Sequence, residues 1–199
     1  MIGLRRLSLG AVVVAACVAL ALIVLVMAPV RALRVPSGGM AMTILPGDRI
    51  LVDNRVFGFP IPLLDLRLPA ERSPQRGDVI TFLNPRDRRL VLKRVVGLPG
   101  ETLRIHLKTV YVEERPLDEP YAFFGGSTNA ASASTPDWGP QLVPASQFFV
   151  LGDNRNNSWD SRYWGFLSMN DVRGLATVVV YSVDENGRIR RDRLWRPIR

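Results

Sequence analysis

The 199-residue sequence has one cysteine, Cys17, and one histidine, His106. A lone cysteine excludes an intrachain disulfide; Cys17 falls in the longest apolar run, where a small buried hydrophobe is its expected role. The same shortage excludes a Cys/His or multi-His zinc site, so no metal and no cofactor is expected. A Ser-His-Asp triad would have to use His106. That residue lies in the alternating segment "ETLRIHLKTVYV", which places it on the outward face of a strand. Lysine is scarce too: of 26 Lys and Arg residues, only Lys93 and Lys108 are lysines.

Arginine therefore carries the formal charge of +8. A nucleic-acid surface is one source of such a charge, and a membrane-tethered nucleic-acid binder is the reading it would favour. The arginines are dispersed, however, and no aromatic-rich nucleic-acid signature accompanies them. A basic face against anionic lipid headgroups, worth ~1 kcal/mol per Lys or Arg, is the simpler account. The expected partners are a lipid bilayer and not nucleic acid.

Residues 9–28, "LGAVVVAACVALALIVLVMA", contain no charge, and their length matches the ~20 residues that span a hydrocarbon core as helix. The apolar core of a cleavable signal peptide is shorter, about 7–15 residues, and Pro29 interrupts the cleavage pattern. The expectation is an uncleaved single-pass anchor over 9–30, preceded by a short tail, 1–8, and followed by one domain, 31–199. Arg5, Arg6 and the amino terminus balance Arg31 and Arg34, so charge leaves the sidedness open.

Beyond the anchor, short runs rich in Val, Ile, Leu and aromatics are bounded by Pro, Gly and Asp. They are "DRILVD" (48–53), "DVITFL" (78–83), "LVLKRVVG" (90–97), "TLRIHLKTVYV" (102–112), "QFFVLGD" (147–153) and "LATVVVYSV" (175–183). No sustained helical period follows residue 30, so the domain reads as mainly β. Asn186-Gly187 is the signal of a two-residue hairpin turn. The proline-punctuated stretch 56–69 reads as a loop packed on the core or as an apolar lip resting on the bilayer. The small, polar stretch 125–140 reads as an exposed loop.

Two features carry chemistry. Strand alternation puts Lys93 on one face with Val91 and Val95, and Arg94 on the other with Leu92 and Val96. Lysine can release its proton when desolvated and arginine cannot, so a lysine inside an apolar strand is either a base or a side chain reaching along Val91 to solvent. The second feature is "GDNRNNSWDSRYWG" (152–165), whose density of donors and acceptors reads as a buried polar network in which Asp153, Asp160 and Arg162 form charge-assisted bonds.

Three stretches, "VPSGGMAMTILPGDRILVD", "RGDVITF…LVLKRVVGLPGE" and "GDNRNNSWDSRYWG", resemble the motif boxes of bacterial type I signal peptidases. These are membrane-bound serine proteases that remove signal peptides from exported preproteins. "VYVEERPLDEPY" is similar to that family's hairpin and "RGLATVVVYSVDENGRIRRDRLW" to its last strands. The resemblance implies an antiparallel β domain on the outer side of the bacterial inner membrane, with a small inserted hairpin region here at about 104–147. It also implies a Ser/Lys dyad. Lys93 falls on the general base, Ser37 on the serine contributing to the oxyanion hole, and Ser158 on the serine that orients the lysine. Gly152, Asp153, Asp160 and Arg162 fall on structural residues of the third box.

The nucleophilic serine of that family precedes the methionine of the first box, and here the position is Gly39. The family's proline two residues after the methionine is Met42. If residues 37–39 are extended, Ser37 and Gly39 face the same side about 6.5 Å apart, so Ser37 would have to leave the oxyanion hole to replace the nucleophile. The sequence thus implies a signal peptidase lacking its serine, with an inactive signal-peptide-binding homologue as the alternative. A water deprotonated by Lys93 is a third route.

Overall fold

The computed structural model describes residues 10, 13–18, 30–58, 60–61, 66–67, 69–125 and 136–199. Residues 10 and 13–18 are helical, but among the described residues no helix is long and apolar enough to cross a membrane. The anchor expected over 9–30 lies largely outside the described residues. Its last position, Val30, opens a strand. Cys17 is exposed rather than buried, as are the residues 13–18 around it.

Fourteen strands follow in the described residues. They are β1 (Val30–Arg34), β2 (Asp48–Asp53), β3 (Pro60–Ile61), β4 (Leu66–Arg67), β5 (Val79–Leu83), β6 (Leu90–Gly97) and β7 (Thr102–His106). The rest are β8 (Thr109–Val112), β9 (Arg115–Pro116), β10 (Trp138–Leu142), β11 (Gln147–Leu151), β12 (Leu167–Ser168), β13 (Val172–Ser182) and β14 (Arg196–Pro197). An eight-stranded sheet has the order β1-β2-β13-β5-β6-β11-β12, with β14 beside β13. A second sheet, β10-β7-β8-β9, is built from residues 102–142, and β3 pairs with β4. All of these ladders are antiparallel.

Strand alternation divides the core. On β11, Phe148 and Val150 enter one cluster with Val95 of β6, Ile80 and Phe82 of β5, and Val56 and Phe57. Phe149 and Leu151 point the other way, joining Val96, Leu103, Ile105 and Val110 beneath the second sheet. A third cluster, around Met40, Ile44, Ile50 and Val52, underlies the chain between β1 and β2. Burying large side chains of this kind contributes roughly 1.5–3 kcal/mol each.

Three local expectations need correction. Residues 102–112 form a hairpin, β7 and β8, rather than one strand: Leu107 and Lys108 turn with φ of 49° and 70°. The exposed loop expected over 125–140 ends early, because Trp138 begins β10 and pairs with Ile105; residues 126–135 lie outside the described residues. Asn186-Gly187 belongs to a three-residue loop: Asp184 N–H donates to Arg188 O, and Gly187 takes the left-handed position at φ +78°. His106 is exposed, as its place in the alternation requires, and its Nδ1 lies 2.8 Å from an Asp137 carboxylate oxygen. Within 56–69, Val56 and Phe57 are buried in the core, while residues 59, 62–65 and 68 lie outside the described residues.

Candidate active site

Lys93 sits in the middle of β6, opposite Ile80 of β5, with 8% of its surface exposed. Burial pushes its amine below the ordinary lysine range. The nearby Asp160 carboxylate opposes that shift, the Arg162 guanidinium reinforces it, and Asp153 opposes it again.

Facing the amine is the turn at Gly38–Ile44. Its bonds are local, from Ala41 N–H to Gly38 O and from Ile44 N–H to Met40 O. The chain therefore bends where an extended segment was expected, so Ser37 is exposed while Gly39 is buried. Both still line one groove of about 450 Å³, with Leu33, Val35, Val91, Leu92, Lys93 and Ser158 among its walls. A Cβ built on Gly39 would lie 3.0 Å from Lys93 Nζ, 3.6 Å from Asn157 O and 3.9 Å from Ser158 Oγ. Among the described residues, the N–H groups of Gly39 and Met40 donate to no acceptor. The Ser158 hydroxyl is buried there and makes no hydrogen bond, to Lys93 or to anything else described.

The segment 152–165 holds this arrangement from below. Asn154 N–H donates to Gly39 O at 3.2 Å, and its side-chain amide donates to Gly38 O at 3.1 Å. Gly152 must lack a side chain, since a Cβ there would lie 2.4 Å from Gly39 O and 2.2 Å from Ser158 Oγ. Asp160 accepts from Arg162 Nε at 2.7 Å and Nη2 at 2.8 Å, and its second oxygen also accepts from Gly152 N–H. Asp153 pairs with Arg94 instead, at 2.8 and 2.7 Å, and accepts from Thr43 Oγ1 at 2.5 Å.

Arg94, 1% exposed, was not singled out by the sequence, although a charge flanked by Leu92 and Val96 carries the same signal as Lys93. It also donates to Gly77 O and lies 4.0 Å below the Tyr121 ring. Arg155 makes two bonds to Glu119, tying the segment to the chain that leaves the second sheet. Arg193 clamps the other end of the turn, donating to Asp48 and to Thr43 O. Burial raises the Asp48 carboxyl, but bonds from Arg193, Ser182 and the Leu45 N–H outweigh it and hold the carboxyl below its usual range. No local pattern could have revealed a pair 145 residues apart.

Chemically, the site offers a desolvated amine, free N–H donors, a hydroxyl and an apolar groove, with no side chain at 39 for the amine to deprotonate. The profile of the family described as "Signal peptidase, peptidase S26" matches residues 5–181. Signal peptidase I of Leptolyngbya laminosa is 35% identical over 165 residues, covering 78% of this chain and 70% of that protein. A probable signal peptidase I of Synechocystis is 35% identical over 160 residues, covering 77% and 64%. The Pseudomonas aeruginosa signal peptidase I is 34% identical over 160 residues, covering 68% and 55%, so the chain spans little more than half of that relative. A crystal structure of an Enterococcus faecalis signal peptidase I is 38% identical with a TM-score of 0.45, covering 52% of this chain and 97% of the other.

Proposed function

The chain belongs to the signal peptidase family, peptidase S26, and from that membership we propose that it binds the cleavage-site end of signal peptides on exported preproteins and presents the scissile bond to Lys93. The observation that carries the reading is the buried Lys93 amine, 3.0 Å from where a side chain at position 39 would begin, inside an apolar groove. An extended peptide has backbone to pair with there. β11 meets β6 only from Arg94 to Gly97, so the edge of Leu90–Leu92 away from β5 has no strand partner among the described residues. Leu33, Val35, Val91 and Leu92 give shallow apolar walls suited to the small residues such a peptide carries one and three positions before the cut.

In this reading Lys93 is the general base and Gly39 holds the position of the nucleophile. The Gly39 N–H and the Ser37 hydroxyl are the oxyanion donors. Ser158, whose hydroxyl is unpartnered among the described residues, is the group that would turn to orient the amine, and Gly152, Asp153, Asp160 and Arg162 keep the turn and the lysine in place. The apolar run that ends before Val30 anchors the chain once in the bacterial inner membrane, with the β domain from β1 onward on the outer side against the lipid. The covalent Ser/Lys route lacks its serine, so the second reading is a homologue that binds signal peptides and does not cut them; Gly39 favours it. The test is binding of a fluorescent Ala-X-Ala peptide to the full chain. Replacing both alanines with lysine should weaken binding at least tenfold; equal affinities would remove the signal-peptide reading.

A further inference from the structure

Lys93 Nζ, Asn157 O and Ser158 Oγ lie 3.0, 3.6 and 3.9 Å from where a side chain at Gly39 would begin, and all four residues line one groove. The Ser158 hydroxyl has no partner among the described residues, and Lys93 is itself nine-tenths buried. Buried polar groups of this kind are normally satisfied by something. A water needs two to four polar partners and about the room of a small side chain. Here an amine, a hydroxyl and a carbonyl supply donors and acceptors, and the groove that they line beside Gly39 supplies the room.

We propose that the groove beside Gly39, between Lys93 Nζ and the Ser158 hydroxyl, is a binding site for one water molecule, and that Lys93 makes that water the nucleophile for direct hydrolysis of the bound peptide. The inference rests on the signal-peptide reading above, and adds an activity to it. The water oxygen bonds to the scissile carbonyl carbon while the neutral Lys93 amine takes one of its protons. The carbonyl oxygen becomes an oxyanion facing the Gly39 N–H. Collapse breaks the C–N bond, and the leaving nitrogen takes the proton back from the Lys93 ammonium. One water is consumed, one acid and one amine are formed, and no ester to the protein appears. Binding and oxyanion stabilisation without a protein nucleophile leave on the order of 10³–10⁴-fold acceleration over water, so the reaction is slow and requires long incubation.

Gly39→Ala is the discriminating variant. Its Cβ, 3.0 Å from Nζ, intrudes on the space between the Gly39 Cα and the amine and crowds out a water there, while the backbone of Gly39 stays outside the left-handed region and accepts alanine. The full chain, Gly39→Ala and Lys93→Met are compared for binding of the Ala-X-Ala peptide and, by mass spectrometry, for a cut after its last alanine and for any acyl adduct on the protein. Expected is slow cutting by the unchanged chain with no adduct, a loss of tenfold or more in Gly39→Ala and Lys93→Met, and peptide binding in all three. Peptide that binds but stays intact overturns the water route and leaves the binding reading standing. Cutting that survives Gly39→Ala, or that proceeds through an acyl adduct, also overturns it. Failure of the unchanged chain to bind overturns the signal-peptide reading, and this inference with it.

Discussion

Asn154 holds Gly39 by its carbonyl: the Asn154 N–H donates to Gly39 O at 3.2 Å, and the Asn154 side-chain amide donates to the carbonyl before it. The backbone at 39 is thereby fixed, and fixed outside the left-handed region. Glycine's freedom is thus not what position 39 uses, and a serine can be added without moving the chain. The 3.0 Å contact of its Cβ with Lys93 Nζ is absorbed by a few tenths of an ångström at the end of a flexible side chain. Gly39→Ser should raise cleavage of a preprotein by at least ~10³-fold, because a nucleophile working as part of a unit is worth on the order of 10⁶. The rate should climb as pH passes the depressed Lys93 pKa, since only the neutral amine accepts the serine proton. Gly39→Ser with Lys93→Ala should fall to the starting rate or below it, because serine and water alike then lack their base. A folded Gly39→Ser protein that stays at the starting rate would show that more than the nucleophile has diverged.

How much of this site could be read from the chain depends on where each partner lies. Lys93 and the 152–165 segment stood out because charge inside an apolar strand, and donors packed beside tryptophans, are local anomalies. The ends of β2 and β6 were legible for a similar reason, as short apolar runs closed by Asp or Gly. Asp153 was recognised but its partner was not, since Arg94 is 59 residues away and reaches it only once β6 and β11 are paired. The hairpin at 102–112 was hidden because its turn lacks the usual Gly or Asn. Asp137, 30 residues on, supports it by accepting from Leu107 N–H. The Ser37–Gly39 geometry failed because the local turn at Gly38 replaced the extended backbone assumed for it.

Burying Lys93 costs stability, and the sign of its pH dependence follows. Its pKa in the fold lies below the unfolded value of about 10.4, so the unfolded chain binds more protons between those two values. Stability therefore rises with pH across that window, and the penalty is complete below it. Lys93→Met keeps the side chain's length and removes the charge. It should raise Tm at pH values below the window, by about 2–4 °C for each kcal/mol released, and the gain should shrink towards zero as pH nears 10.4. Thermal unfolding of both proteins across pH checks it. With only two lysines in the chain, NMR of lysine-labelled protein can follow each one, and should show Lys93 titrating below the ordinary lysine range. A gain in Tm that is the same at every pH would mean that packing, not charge, sets the penalty.

Met42 stands where the resemblance to signal peptidases leads one to expect proline, and its φ is +80°. Proline is locked near −65° and cannot adopt that conformation. The turn that presents Gly39 therefore follows a path that proline at 42 would not allow. Met42 is also 58% exposed, so little packing is lost when it is replaced. Met42→Pro should cost more than about 1 kcal/mol, whereas Met42→Gly relieves the left-handed strain and should be neutral or slightly stabilising. The same argument extends to activity. In a Gly39→Ser background, Met42→Pro should lower cleavage, because forcing φ negative two residues past the serine's neighbour Met40 pulls the turn away from Lys93. Denaturant midpoints of the single variants and cleavage rates of the doubles measure both effects. A double variant that is as stable as Gly39→Ser and cuts faster would show that the turn readily returns to the proline-compatible path.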